Sequence, residues 1–349
     1  MELSNFIVQE NTSIIDAAAA IDANGRQIVF VCKGSKLIAS LSDGDIRRYI
    51  LNAGDVSKSV DHAAKSNPIS VYIGEQSTAQ QLMRDHGVRV IPILDSNEEI
   101  VSIVMEDNER LHKIIQLCIP VVIMAGGKGT RLAPYTDVLP KPLIPVDDKT
   151  ITEHIMGRFL NFGCDDFTVI VNYKKELIKA YFKEMDNACT LRFVDEELFQ
   201  GTGGGLKLLD GMFTETFFMS NCDTLIDADY EDILGHHREN NALVTMVCAL
   251  KKVSVPYGTV EIDNNGNLLG LTEKPEYPLL INTGFYVIDI KFLDTISSGE
   301  IVHITELIQR LIDSKKSVSI YPISESGWFD IGEMEGLSRI TQRLDSKRL

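Results

Sequence analysis

The chain has 349 residues, a formal net charge of −16 and a mean hydropathy of +0.01. With 44% hydrophobic and 24% charged residues it reads as a globular protein long enough for two domains, each with its own core. Both halves are acidic and no basic stripe is present, which argues against nucleic acid or an anionic membrane as the main partner.

The start "MELSNFIVQE" lacks the features of a signal peptide, and no apolar run approaches the roughly 18 residues that span a bilayer. The six cysteines (Cys32, Cys118, Cys164, Cys189, Cys222, Cys248) form no CxxC pair, so reduced, mostly buried thiols and a cytoplasmic location are expected.

Residues 1–110 contain two weakly similar units. The first reads as a helix "SIIDAAAAIDANG", a strand "QIVFVC", a turn "KGS", a strand "KLIASLS" and a helix "DGDIRRYILNAG". The second runs through "NPISVYIGEQSTAQQLMRDHGVRVIPILDSNEEIVSIVMEDNERLHKII" in the same order. Gly25 and Gly87 each stand where a helix ends in a left-handed residue. One such unit alone leaves its sheet uncovered, so the two are expected to pack together.

From Cys118 on, strands alternate with helices: "IPVVIM", "TITEHIMGRFLNFG", "DFTVIVN", "KKELIKAYFKEM", "TLRFVDE", "GTGGGLKLLDGM", "TFFMSNCDTL", "YEDILGHHREN", "ALVTMVCAL". The strands are short apolar runs, as in parallel sheets covered on both faces, and predict a Rossmann-like, doubly wound α/β lobe. After about residue 250, "GTVEIDNNGNLLGLTEK" and "NTGFYVIDI" predict a partly antiparallel extension, making the sheet mixed.

The stretch "VVIMAGGKGTRLAPYTDVLPKPLIPV" places a glycine-rich loop after a buried strand, where glycines let backbone N–H groups approach an anion. A dinucleotide fingerprint fails, because its third glycine would fall at Leu132. A Walker A loop fails because Gly127-Lys128 is followed by Gly129. The remaining pattern, G-G-x-G-T-R-L followed by P-K-P, resembles the signature of the sugar-phosphate nucleotidyltransferases, the NDP-sugar pyrophosphorylases.

That resemblance implies a reaction in which the phosphate of a sugar 1-phosphate attacks the α-phosphorus of a nucleoside triphosphate and pyrophosphate leaves. Such a site needs positioning, fixed cations and a divalent metal, with little acid–base chemistry. It implies nucleotide contacts along Ala125, Gly126, Gly127, Gly129 and Thr130, and reacting-centre cations at Arg131, Lys141 and Lys274. Lys141 is stiffened by Pro140 and Pro142, whereas Lys128 contacts phosphate or faces solvent. Asp223, at the end of the strand "FFMSNCDTL", and Asp330, in "GWFDIGEMEGL", are the implied Mg2+ ligands. Gly201, Thr202, Gly203 and Gly204 are the implied nucleoside loop, their glycines permitting close approach. Gly258, Glu273, Asn282 and Thr283 are the implied sugar contacts.

The N-terminal third resembles a tandem pair of CBS domains, which implies a regulatory module over residues 1–112, a linker at 113–119 and a catalytic domain at 120–349. Ser42 and Asp45 in "LIASLSDGDIRR" fall where that family holds a ribose, implying an adenine nucleotide there. The second unit departs from the pattern with Met105 and Asn108. Such a pair also implies a homo-oligomer assembled through it; the alternative to nucleotide binding is that the pair serves dimerisation or packing alone.

As a whole the chain resembles the mannose-1-phosphate guanylyltransferase-like branch. "SNCDTLIDADYEDI" and "VHITELI" resemble the glucosamine-1-phosphate guanylyltransferases of nonulosonic (legionaminic) acid synthesis. GTP and glucosamine 1-phosphate are the substrates this implies; mannose or heptose 1-phosphate, or a nucleotide-sensing subunit with an inactive lobe, are the alternatives. His236 and His237 are read as solvated or dipole-compensating at a helix end, and Trp328 as packing beneath Asp330.

Overall fold

The computed structural model describes residues 2–105, 116–183 and 189–331. Strand β1 (Ile7–Gln9) leads into helix α1 (Ile14–Asn24), then β2 (Ile28–Lys33), β3 (Lys36–Ser42) and α2 (Asp43–Leu51). After β4 (Lys65–Ser66) the order strand, helix, strand, strand recurs as β5 (Val71–Tyr72), α3 (Gln76–His86), β6 (Val90–Leu94) and β7 (Ile100–Met105). The sequence explains the helix ends. Ser13 caps α1 by accepting from Asp16 N–H at 3.2 Å, and Gly25 and Gly87 close α1 and α3 at φ 62° and 65°.

β1 pairs parallel with β2 as β5 does with β6, while β2–β3 and β6–β7 are antiparallel. Phe6, Phe30 and Cys32 share one buried cluster with Val90, Leu94 and Ile100, so the two sheets cover each other as expected. Asn108, the closing helix expected after β7 and the start of the linker lie outside the described residues.

Next come β8 (Val121–Ala125), α4 (Tyr135–Val138), β9 (Pro145–Val146), β10 (Lys149–Thr150), α5 (Ile151–Leu160), β11 (Asp166–Val171), α6 (Lys175–Lys183) and β12 (Thr190–Asp195). Then follow α7 (Gly201–Gly204), β13 (Phe217–Asn221), β14 (Thr224–Ile226), α8 (Tyr230–Glu239), β15 (Val244–Ser254), β16 (Thr259–Ile262) and β17 (Leu268–Thr272). The chain continues through β18 (Glu276–Ile288), α9 (Ile304–Asp313), β19 (Val318–Ser324) and β20 (Trp328–Asp330). A seven-stranded sheet runs in the order β12-β11-β8-β13-β18-β15-β19. β12, β11, β8 and β13 are mutually parallel and β18 joins β13 antiparallel, so the sheet is mixed.

Alternation along β8 divides the core. Val121, Ile123 and Ala125 pack with Ile155, Phe159, Tyr230 and Phe285 on one face. Val122 and Met124 pack with Leu206, Leu209, Ile304 and Leu307 on the other. Helices therefore cover both faces, as a parallel sheet of apolar strands requires. The expected helix over "GTGGGLKLLDGM" is only the single turn α7 followed by a 3-10 stretch, Gly205–Leu209. Four backbone-flexible glycines among the five residues 201–205 weigh against a longer helix.

Two units result, and they do not follow a linear division at residue 112. Met1–Leu111, Leu250–Ile281 and Ser324–Ser326 form one; His112–Ala249, Asn282–Ile323 and Gly327–Leu349 form the other. Within the first, charge holds the late segments to α1. Lys252 bridges Asp16 (2.6 Å) and Glu276 (2.8 Å), and Ser324 donates to Asp22. Among the described residues no helix is long and apolar enough to cross a membrane.

Candidate active site

The glycine loop leaves the C-terminal edge of β8. Gly126 is buried there, while Gly127, Lys128, Thr130 and Arg131 are exposed. A Cβ on Gly126 would meet Glu196 Oε2 at 2.7 Å, whereas one on Gly127 would meet nothing. Gly129 is left-handed at φ 67°, and its carbonyl accepts from Thr136 Oγ1 at 2.9 Å. A Cβ there would sit 3.2 Å from Lys141 Cβ, so the loop lies directly on the lysine's stem.

Lys141 follows Pro140 and opens a 3-10 turn, Lys141–Leu143. Its ammonium forms an ion pair with Asp223 Oδ2, and both side chains are largely buried, 12% and 10% exposed. Asp223 sits in the turn after β13; the preceding Cys222 donates its N–H to Met124 O at 3.3 Å, which fixes the turn at the end of β8. β14 then pairs antiparallel with β20, matching Thr224 to Asp330, and Ile331 N–H donates to Asp223 O at 3.0 Å. Glycine loop, lysine and the two aspartates thus meet at one sheet edge.

Two carboxylates on adjacent strand ends suit a hard divalent cation that takes its other ligands from phosphate and water. Among the described residues no three acidic, His or Cys side chains converge on one point, so protein ligands supply only part of such a shell. Trp328 pairs with Ile226 and packs against the core beneath this strand pair, as its sequence context suggests.

Glu196 is a residue the sequence patterns do not reveal. It is 1% exposed, and its Oε1 accepts from Gln200 N–H at 2.7 Å. Oε2 lies under Gly126, and a Cβ on Gly205 would stand 3.1 Å from Oε1. Burial raises its pKa above the ordinary carboxylate value, with the Gln200 N–H acting against the rise. A second acidic residue, Glu197, follows it in the sequence, so no period or motif marks which of the two points inward.

The glycines of the Gly201–Gly204 run are required by packing inside the chain. Cβ atoms at Gly201 and Gly203 would strike Val302 O at 2.5 Å and Leu307 Cδ1 at 2.7 Å, and one at Gly204 would strike Glu300 O. Gly203 and Gly204 both donate to Val302 O at 3.0 Å, and Thr202 Oγ1 accepts from Ile304 N–H at 3.3 Å. These glycines let the chain pack on the start of α9.

Of the implied sugar contacts, Thr283 is buried at 3% exposure, its hydroxyl donating to Val247 O at 2.8 Å and its carbonyl accepting from Thr224 at 2.9 Å. That side chain holds the turn. Asn282 accepts from Gly284 N–H at 3.0 Å and donates to Tyr286 at 2.7 Å. Gly284, at φ 84°, lies against Asn221, where a Cβ would collide. Gly258 and Glu273 are brought together: a Cβ on Gly258 would meet Glu273 Oε2 at 2.9 Å. Glu273 and Lys274 are exposed and belong, with Gly258, to the first unit.

In the first unit Ser42 and Asp45 form a capping box on α2. Asp45 Oδ2 also accepts from Ser42 Oγ, and Oδ1 binds Arg48 (2.5 Å) and Lys65 (3.1 Å). Burial works to raise its pKa, yet Ser42, Lys65 and Arg48 hold it below the usual carboxylate range. His237 is not solvated as expected: it is 3% exposed, meets Thr245 Oγ1 at 2.8 Å, and burial lowers its pKa to about 4.

The chain matches the nucleotidyl transferase family over residues 120–347 and belongs to it. It is 32% identical over 234 residues to the UTP–glucose-1-phosphate uridylyltransferase of Synechocystis sp., covering 61% of this chain and 60% of that protein. It is 32% identical over 223 residues to the bifunctional protein GlmU of Methanococcus aeolicus, covering 61% and 51%. Mannose-1-phosphate guanylyltransferase of Mycobacterium tuberculosis is 31% identical over 228 residues, covering 63% of each. The chain thus spans between half and two thirds of these relatives' lengths. Among solved structures, HddC from Yersinia pseudotuberculosis matches with a TM-score of 0.52 at 22% identity, covering 65% of this chain and 99% of that one. A second structure of it, complexed with GMP-PN, matches equally well at 21% identity. These two likenesses are of fold.

Proposed function

We propose that the protein transfers a nucleoside monophosphate from a nucleoside triphosphate to a sugar 1-phosphate, releasing pyrophosphate. The observation that carries this reading is the meeting of the glycine loop, Lys141 and Asp223 at the edge of β8. Family membership supports the nucleotidyl transfer itself.

The backbone N–H groups from Gly126 to Thr130 would receive the triphosphate, and Arg131 would fork onto the departing pyrophosphate. Lys141 would hold positive charge at the reacting centre, where charge grows during attack. Asp223 and Asp330 would hold Mg2+, which when bound supplies charge neutralisation between the phosphates. Glu273 and Lys274 would take the sugar hydroxyls and its phosphate, and Gly258 and Asn282 are the further sugar contacts that the sequence resemblance implies. The attacking phosphate is already ionised, so none of these residues has to abstract a proton.

GTP is the favoured nucleotide in this reading, and Glu196 supports it. Its Oε1 is engaged with Gln200, and its Oε2 faces the buried start of the loop. A carboxylate in such a place needs a donor, and guanine offers two adjacent ones, N1–H and N2–H. Uracil and thymine offer one N–H between two carbonyls, which a carboxylate repels. Glucosamine 1-phosphate, with an outlet in surface glycan or nonulosonic acid synthesis, rests on sequence resemblance alone; mannose and heptose 1-phosphates are the competing acceptors. The test is kcat/KM for GTP, ATP, CTP, UTP and dTTP against a panel of sugar 1-phosphates. A preference for UTP or dTTP refutes the guanine reading and leaves the transfer chemistry standing.

The N-terminal unit is proposed as a CBS-type regulatory pair. An adenine nucleotide binding at Ser42 and Asp45 would have to share an aspartate already bonded to Ser42, Arg48 and Lys65.

A further inference from the structure

The hairpin β16–β17 is a two-stranded sheet of its own. Cross-strand pairing assigns its faces. Val260 opposes Leu271 and Ile262 opposes Leu268, while Thr259 opposes Thr272 and Glu261 opposes Gly270. One face is therefore wholly apolar and the other polar. The apolar side chains are open to water: Val260 is 60% exposed, Ile262 64%, Leu268 64% and Leu271 68%. Leu269, at the bulge, is 67% exposed, and Tyr257 at the hairpin's root is 74% exposed.

A two-stranded sheet is marginal in water unless a face is covered. The face and bulge side chains expose roughly 500 Å2 of contiguous apolar surface, the upper range for a protein with no partner.

We infer that this face is covered by the same face of a second copy of the chain, in a two-fold symmetric dimer. An apolar face is self-complementary, and two such sheets stack in the aligned packing of a β-sandwich. With Tyr257 included, two copies would bury about 1,200 Å2, the lower bound for a specific interface. The contact carries no charge, with Glu261 on the far side. In a chain of net charge −16, such a contact brings two copies together where like-charge repulsion is least. The hairpin's roots carry Gly258 and Glu273, so the dimer would brace the proposed sugar contacts. The interface lies on the hairpin, not on the N-terminal pair.

The test is sedimentation velocity of the full chain at micromolar concentration. The expected result is a species of twice 38.8 kDa. Ile262→Glu and Leu271→Glu should each halve that mass, whereas Glu261→Lys on the polar face should leave it unchanged. Far-UV circular dichroism identifies any variant that fails to fold, and the milder Leu268→Ser with Val260→Ser then replaces it, with the same halving expected. A wild-type chain that sediments as a monomer, including one that binds some other protein through this hairpin, overturns the inference. So does a dimer that survives the face substitutions.

Discussion

Lys141 and Asp223, far apart in sequence, form a largely buried ion pair at the end of the central strand β8. Each was singled out by a separate motif, and the fold places the lysine's ammonium on the aspartate's Oδ2. The pair sets the charge of the centre: one cation and one anion held out of water, beside a second carboxylate-bearing strand end at Asp330.

Removing the carboxylate tests that centre. Asp223→Asn preserves shape and should lower kcat by about a thousandfold, the scale on which preorganised charge acts in transfer reactions. Chelation of divalent metal should abolish wild-type turnover likewise. Unchanged circular dichroism with unchanged pyrophosphate release from Asp223→Asn would remove Asp223 from the chemistry.

Glu196→Gln separates recognition from stability. Its kcat/KM for GTP should fall about ten- to a hundredfold, while the values for UTP and dTTP hold or rise. Burial raises the Glu196 pKa, so the folded state favours the protonated form. Its contribution to stability is full below the ordinary carboxylate pKa and is lost as pH rises through the raised value. The Gln variant should therefore melt higher than wild type at pH 7 and gain less at pH 4. A melting temperature that falls at pH 7 would contradict the burial account.

Two glycines test which loops face ligand. Gly127 has open space where a Cβ would go, so Gly127→Ala should leave the melting temperature alone and raise KM for the triphosphate. Gly201 is at φ 78° against Val302 O, so Gly201→Ala should destabilise by about 2 kcal/mol or more, read by urea denaturation. Equal stability of the two variants would contradict the packing requirement at Gly201.

His237 supplies a pH signature. Its folded pKa of about 4 lies below the ordinary 6.5, so its contribution is present above pH 6.5 and lost as pH falls toward 4. Over that window the loss is on the order of 3 kcal/mol. His237→Asn, which does not titrate there, should flatten the pH dependence of urea unfolding; an unaltered slope would place the acid sensitivity elsewhere.

Asp45→Ala tests the N-terminal unit in two ways. Loss of the α2 capping box should cost about 1 kcal/mol. If the site takes AMP or ATP, calorimetric binding should disappear with it. Undiminished binding would leave Asp45 a helix cap alone.

Much of this arrangement was legible before the structure. Apolar runs such as "VVIMA" and "FFMSN" announced parallel strands, Gly25 and Gly87 announced helix ends, and the motifs carrying Gly126, Lys141, Asp223 and Asp330 marked one sheet edge. What escaped were consequences of long-range contact. For the glycines at 201–204, sequence gives their freedom but not what lies against them, here residues 300–307. Glu196 was hidden because an acidic pair carries no period showing which member turns inward. The return of residues 250–281 to the first unit depends on Lys252 reaching Asp16, a pairing that no local pattern encodes.

In the proposed reading the glycine loop, Lys141 and Asp223 form a nucleotidyl transfer centre. Its most direct test is pyrophosphate release from GTP and glucosamine 1-phosphate with Mg2+, wild type beside Asp223→Asn, with the nucleotide sugar identified by mass spectrometry. The wild type should give stoichiometric pyrophosphate and GDP-glucosamine, and the variant neither. Equal release from both proteins, or none from the wild type with any nucleotide and sugar 1-phosphate pair, would contradict it.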